Sequence, residues 1–137
     1  MIDKESLSKI IDEKIKQERL NLENLIKELE SSDEYKHILN YIEKEMKDAA
    51  ENNQWIREYN VVPYYSSYEY KLRIDLSKEF ENLKFDPTFN NRHSKILRLI
   101  KRKLEKNGYN PEIKSEFKPN KFVLFINFTD HIEGERL

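Results

Sequence analysis

The sequence predicts an α+β fold: an N-terminal amphipathic helical pair, then a small, mostly antiparallel sheet with one basic helix packed on it, in the order α-α-β-β-α-β-β. Three observations carry that expectation. Apolar residues return every three or four positions from Leu7 to Ala49. A stretch of period two follows, in which Tyr68, Tyr70, Leu72, Ile74 and Leu76 alternate with Glu69, Lys71, Arg73 and Asp75. Residues 92–128 then read as a helix, a glycine stop and two strands joined by a tight turn.

The first helix spans residues 3–30, with Leu7, Ile11, Ile15, Leu22, Leu25, Ile26 and Leu29 on one stripe and charge between them. Ile15, Leu22 and Leu29 stand one heptad apart, and Ile11 and Leu25 hold a second seam position. Glu18 occupies the place of a third seam residue, which argues against a long coiled coil. Ser31 and Glu34 have the spacing of a capping box, and Asp33 adds negative charge at the start of a second helix. That helix carries Tyr35, Ile38, Leu39, Ile42, Met46 and Ala49 on one face and stops at Asn52-Asn53. Residues 1–53 thus form either an antiparallel hairpin, which covers much of its own apolar surface, or an extended arm, which needs another subunit. Ile11, Ile15, Leu22, Leu25 and Leu29 are the candidate oligomer interface.

Residues 54–128 make the α+β unit. Trp55, Ile56, Tyr59, Val61 and Val62 favour a strand that Pro63 confines to an edge or ends. The alternating strand comes next, then an apolar patch of Phe80, Leu83 and Phe85, then loop chemistry over 86–91. The helix at 92–107 buries Ile96, Leu97, Ile100 and Leu104; Gly108 closes it in the left-handed region, with Tyr109 folding back as the hydrophobic contact. Residues 112–117 alternate weakly, 118–121 turn, and the nearly unbroken apolar run 122–128 reads as a central strand covered on both faces. The helices of 1–53 are expected to cover the sheet face opposite the basic helix or to project from it, and 129–137 to be a polar tail.

The formal net charge of −1 selects no partner class, but its distribution is uneven. Residues 1–54 hold 14 acids and 9 bases, net −5, whereas 92–106 hold 7 bases and 1 acid, net +6. The absence of cysteine removes disulfides and thiolate sites, and no apolar run approaches the roughly 20 residues that span a bilayer. With no apolar leader at the N-terminus either, the expected location is the cytoplasm.

Enzymatic constellations are scarce. With two glycines there is no phosphate-binding or dinucleotide loop. His37, His93 and His131 fall in no metal-ligand spacing, and Asp130, His131 and Glu133 are read as solvated tail. The expectation is no catalytic residue, no metal and no cofactor. Two surfaces carry more. Arg98, Lys101, Arg102 and Lys106 should point away from the sheet, towards nucleic acid, a smaller anion or the acidic N-terminal helices. Trp55, Arg57, Tyr59, Tyr64, Tyr65 and Arg73 cluster in sequence, as core packing, a protein interface or a base-stacking surface.

The run from Lys95 through Gly108-Tyr109, followed by Glu112-Ile113-Lys114 and Val123 to Phe128, resembles small uncharacterised accessory proteins of phages and prophages of low-GC bacteria. In those a lysine-rich helix ends at Gly-Tyr or Gly-Phe and leads into a hairpin. The resemblance covers about a quarter of the chain, carries over no functional residue, and implies a phage-type source and the host cytoplasm. The resulting expectation is a non-enzymatic, homo-oligomeric protein that binds and inhibits a host defence protein or sequesters an anionic ligand. The alternatives are a nucleic-acid-binding protein using helix 92–107 and a phage structural or assembly component.

Overall fold

The computed structural model describes residues 1–62, 65–77, 91–115 and 121–132. They form α1 (Lys4–Glu30), α2 (Asp33–Glu51), β1 (Ile56–Val62), β2 (Tyr65–Asp75), α3 (Arg92–Lys106), β3 (Asn110–Ser115) and β4 (Phe122–Ile132). This is the α+β order read from the sequence, with a four-stranded sheet in the order β1-β2-β4-β3 and every neighbouring pair antiparallel. The apolar patch at 80–85, the loop up to residue 90, the turn at 118–120, Pro63, Tyr64 and residues 133–137 lie outside the described residues.

Asp3 caps α1 by accepting the Ser6 amide at 2.7 Å. That amide bond holds the Asp3 carboxyl below the usual carboxylate range. A depressed folded-state pKa means that the cap is intact above the ordinary aspartate range and is lost as pH falls through the folded value. Acidification should therefore lower the protection factor of the Ser6 amide, measured relative to its intrinsic exchange rate at each pH, while protection factors in the middle of α1 stay unchanged.

The break between the first two helices differs from the expected capping box. Ser31 ends α1, and Ser32 is the N-cap of α2: its Oγ accepts the Tyr35 amide at 3.2 Å and donates to the Leu29 carbonyl at 2.6 Å. One hydroxyl thus serves the last turn of one helix and the first turn of the next. Glu34 pairs with Arg92 of α3 at 3.0 Å instead of reaching back to the cap. The far end of α2 stops at Asn52-Asn53 as read, with Asn53 left-handed at φ 52° and the Gln54 amide returning to the Ala49 carbonyl.

The period-two pattern sorts the sheet into two faces. Register pairs Ile74 with Leu124, Leu72 with Ile126 and Tyr70 with Phe128, so these side chains share one face. Both α2 and α3 cover that face, and Ile38, Leu39, Ile42, Ile96, Leu97 and Ile100 join Ile74, Leu76, Leu124 and Ile126 in one core. The expected placement of the N-terminal helices on the opposite face is corrected in this respect: α2 lies beside α3. Two polar groups fix it there, Tyr41 Oη donating to the Asp75 carbonyl at 3.1 Å and Trp55 Nε1 to the Met46 carbonyl at 3.0 Å. The other face carries Glu58, Glu69 and Lys71 as an ion-paired patch; Lys71 sits 3.1 Å from Glu58, a contact that raises its pKa. Val123 is buried on that face and Phe125 partly so, as the unbroken apolar run required.

β4 runs on to Ile132, four residues past the expected end, because β2 starts at Tyr65 and supplies Ser66 to Glu69 as partners. Residues 129–132 are therefore strand and not tail. Pro111 falls in β3, where an edge position tolerates its missing amide hydrogen.

Asn91 caps α3 by accepting the Ser94 amide at 2.8 Å. Its end is a Schellman motif: the Tyr109 amide bonds the Leu104 carbonyl and the Gly108 amide the Glu105 carbonyl, with Gly108 at φ 90°. A Cβ at Gly108 would meet no atom within 4 Å, so only backbone strain opposes it. Gly108→Ala should destabilise the fold by about 1 kcal/mol, read by urea denaturation.

Candidate functional site

Two surfaces stand out. The first is α1. Its 27 residues make a rod about 40 Å long. Among the described residues, only its last two turns pack against the rest: Leu29 is buried, and Leu25 and Ile26 pack partly against the core. From Lys4 to Asn24 every residue is exposed. α1 and α2 therefore do not fold as a hairpin; α1 is an arm. Of the five candidate interface residues, Leu29 and Leu25 are engaged within the chain. Ile11, Ile15 and Leu22 are open to solvent at 50%, 42% and 56%, alongside Leu7 and Ile10.

The buried and exposed parts belong to one stripe. Leu7, Ile11, Ile15, Glu18, Leu22, Ile26 and Leu29 recur at spacings of 4, 4, 3, 4, 4 and 3 residues. That is an 11-residue repeat, which stays on one side of a nearly straight helix where a heptad would drift. Glu18 remains a polar break within it.

The second surface is a cleft of about 920 Å³ at the open end of the covered sheet face. α2 forms one wall with Leu39, Glu43, Met46 and Lys47, and the C-terminal turn of α3 forms the other with Lys103, Leu104 and Asn107. The floor is aromatic. Tyr70 and Phe128 stack with centroids 4.8 Å apart and planes at 16°, while Trp55 and Tyr109 each meet Phe128 edge-on, at 5.2 and 5.5 Å. Tyr68 continues the row towards the rim, where the Arg57 guanidinium lies 4.7 Å from its ring centroid and Tyr59 packs 5.1 Å away. The row exists because facing positions on β1, β2 and β4 all carry rings, whereas the helices cover only the aliphatic end of the sheet.

The aromatic set read from the sequence is thus brought together in part. Trp55, Arg57 and Tyr59 gather here. Arg73 occupies an odd position of β2 and emerges on the opposite face, so it is removed from the set. Tyr64 lies outside the described residues, as does the Tyr65 side chain. Sequence reading missed Tyr109, Phe128, Lys47, Lys103 and Glu43 as members. Phe128 was accessible through register, since it ends an apolar run facing the tyrosine strand; the lysines had no signal apart from helical phase.

On α3 the outward arc carries Arg98, Lys101 and Arg102, with Arg102 and Lys106 exposed and Arg98 and Lys101 half-buried. Leu99, outside the expected stripe, is buried at 9% because the end of α1 docks beside it. Arg102, Lys103 and Lys106 line a hollow there with Ile26, Glu30 and Tyr35. Burial pushes the Tyr35 hydroxyl upward, with Glu30 and Glu43 adding to the shift. The expected pairing of the basic helix with the acidic N-terminal helices is local and falls on α2: Arg92 and His93 approach Glu34, at 3.0 and 3.5 Å. Lys101, Arg102 and Lys106 have no ion pair among the described residues.

Among the described residues no group of three or more His, Asp or Glu is placed to hold a metal ion. No described helix is long and apolar enough to cross a membrane. Compared with protein-family models, curated proteins and solved structures, the chain finds no match.

Proposed function

We propose that the protein is a non-catalytic binding protein that associates with copies of itself through α1 and uses its α+β head to hold an anionic ligand. The observation carrying the first half is the stripe of α1, which packs against the core at Ile26 and Leu29 and continues in the same phase into exposed positions. Four exposed apolar side chains along one line of helix, Leu7, Ile11, Ile15 and Leu22, form a patch of a kind that marks interaction surfaces. The second half is supported by the cleft, whose lining holds Lys47, Arg57 and Lys103 against Glu43, with Glu51 4.0 Å from Lys47 on the exposed side of α2. Its described lining contains rings, methyl and methylene groups, amides and these charges, with no histidine, serine or threonine to act as base or nucleophile.

Light scattering across a concentration series tests the self-association. Burying these four half-exposed side chains from each of two arms contributes about 8 kcal/mol at about 1 kcal/mol each, against an association cost of about 4–15 kcal/mol. The assembly should therefore be reversible and should grow over the micromolar range. A mass fixed at that of one chain at the highest soluble concentration removes the proposal.

A further inference from the structure

We infer that the ligand of the cleft is a nucleotide unit: a base seated among the rings, with its phosphates on the lysines of the two walls. The inference names the ligand for the head proposed above and rests on that reading; it is independent of the arm, because no α1 residue lines the cleft.

Three features of the site converge on this class. The volume of about 920 Å³ lies within the range of small-molecule pockets and exceeds what one ring needs, leaving room for sugar and phosphate. The floor offers Trp55, Tyr70, Tyr109 and Phe128, half-buried and already organised by mutual stacking, so a planar aromatic ligand meets π surfaces that need little ordering. Lys47 and Lys103 stand on opposite walls with Arg57 at the rim, a charge pattern that repels a cationic guest despite the aromatic lining.

Glu43 fits the same reading. A lone carboxylate on the wall opposes a phosphate but accepts a hydrogen bond from the exocyclic amine of adenine, cytosine or guanine. Lys103 is also the ridge between the cleft and the adjoining hollow that Arg102 and Lys106 line. Phosphates leaving the cleft over Lys103 therefore meet further cations on α3, which draws part of the outward basic surface into one path. The chemistry has two sources, a free nucleotide or one unit of a single strand.

Trp55 is the chain's one tryptophan and lines the cleft, so its fluorescence reports on occupancy. The experiment titrates the full chain at low salt with ADP, with a short single-stranded oligodeoxyadenylate and with poly-glutamate. Quenching by ADP assigns the free nucleotide. Quenching by the oligonucleotide alone, weakening steeply with salt, assigns the strand. Lys103→Glu with Lys47→Glu, both at exposed positions, should weaken either by about tenfold or more while leaving the unliganded spectrum unchanged. No quenching by ADP or oligonucleotide, equal quenching by poly-glutamate, or affinity indifferent to both charge reversals overturns the inference. The same titration on the Ile11→Asp, Ile15→Asp protein keeps the two readings apart, since ligand binding should survive loss of assembly.

Discussion

Ile11→Asp combined with Ile15→Asp is expected to leave a monomer at every concentration, with the unfolding midpoint of the head unchanged. Both side chains lie on the exposed line of α1 and neither reaches the core, so the folded head loses nothing. The assembly loses four apolar side chains per pair of arms and gains four carboxylates in the same seam as Glu18, where desolvating them is costly. Helicity gives a second readout. The free arm from Lys4 to Asn24 is about 30 Å of polar helix with no tertiary support, and such helices are marginal in water. Splitting the assembly should therefore lower the far-ultraviolet helical signal, as the arm frays back towards Leu25. Aspartate is itself a weaker helix former, so Ile11→Ala with Ile15→Ala provides the control. Alanine raises intrinsic helix propensity, and any loss of helix or mass in that variant comes from the missing partner. If both variants keep the mass and helicity of the parent, α1 is not the interface.

Much of the fold was legible because several local rules agreed. Tyr68 to Leu76 alternates over nine residues with no competing pattern, and the Gly108-Tyr109 stop fixes where α3 ends and which way the chain leaves it. The misread junction at Ser31 and Ser32 shows the limit of such rules. Two adjacent serines offer two capping registers, and tertiary pairing of Glu34 with Arg92 favours the one without a capping box. The same kind of non-local choice placed α2 on the face of α3. Both faces of β4 carry apolar residues, so the pattern of β4 admits a helix on either side. The selection is made by the Tyr41 and Trp55 hydrogen bonds, which no periodicity records.

The candidate site was less legible than the fold. Clustering in sequence brings Trp55, Arg57 and Tyr59 together because they stand at alternate positions in and just before β1, on one face of the sheet. It failed for Arg73, whose odd position in β2 puts it through the sheet, and it missed Phe128, which arrives from β4 directly opposite Tyr70. Likewise the seam read on α1 does not separate its two kinds of position. Leu25 and Leu29 look like Ile15 and Leu22 in sequence; only the docking of the last turns on α2 and α3 divides a core stripe from an exposed one.

That division gives the second large effect. Leu97→Ala should destabilise the head by about 2–5 kcal/mol, since Leu97 is fully buried between α3 and the sheet and truncation leaves a cavity lined by rigid neighbours. The loss is a large share of the roughly 5–15 kcal/mol that holds a domain folded, and it should lower the melting midpoint by about 10 °C or more. Leu22→Ala removes the same atoms from the same residue type at an exposed position, and in dilute, monomeric protein it should not move the midpoint at all. Leu29→Ala separates the arm from the head: at 3% exposure it should cost nearly as much as Leu97→Ala, and it removes the buried end of the stripe on which the direction of α1 depends. Equal midpoints for Leu29→Ala and Leu22→Ala would mean that the last turn of α1 is not part of the core, and that the exposed line and the buried one are unrelated.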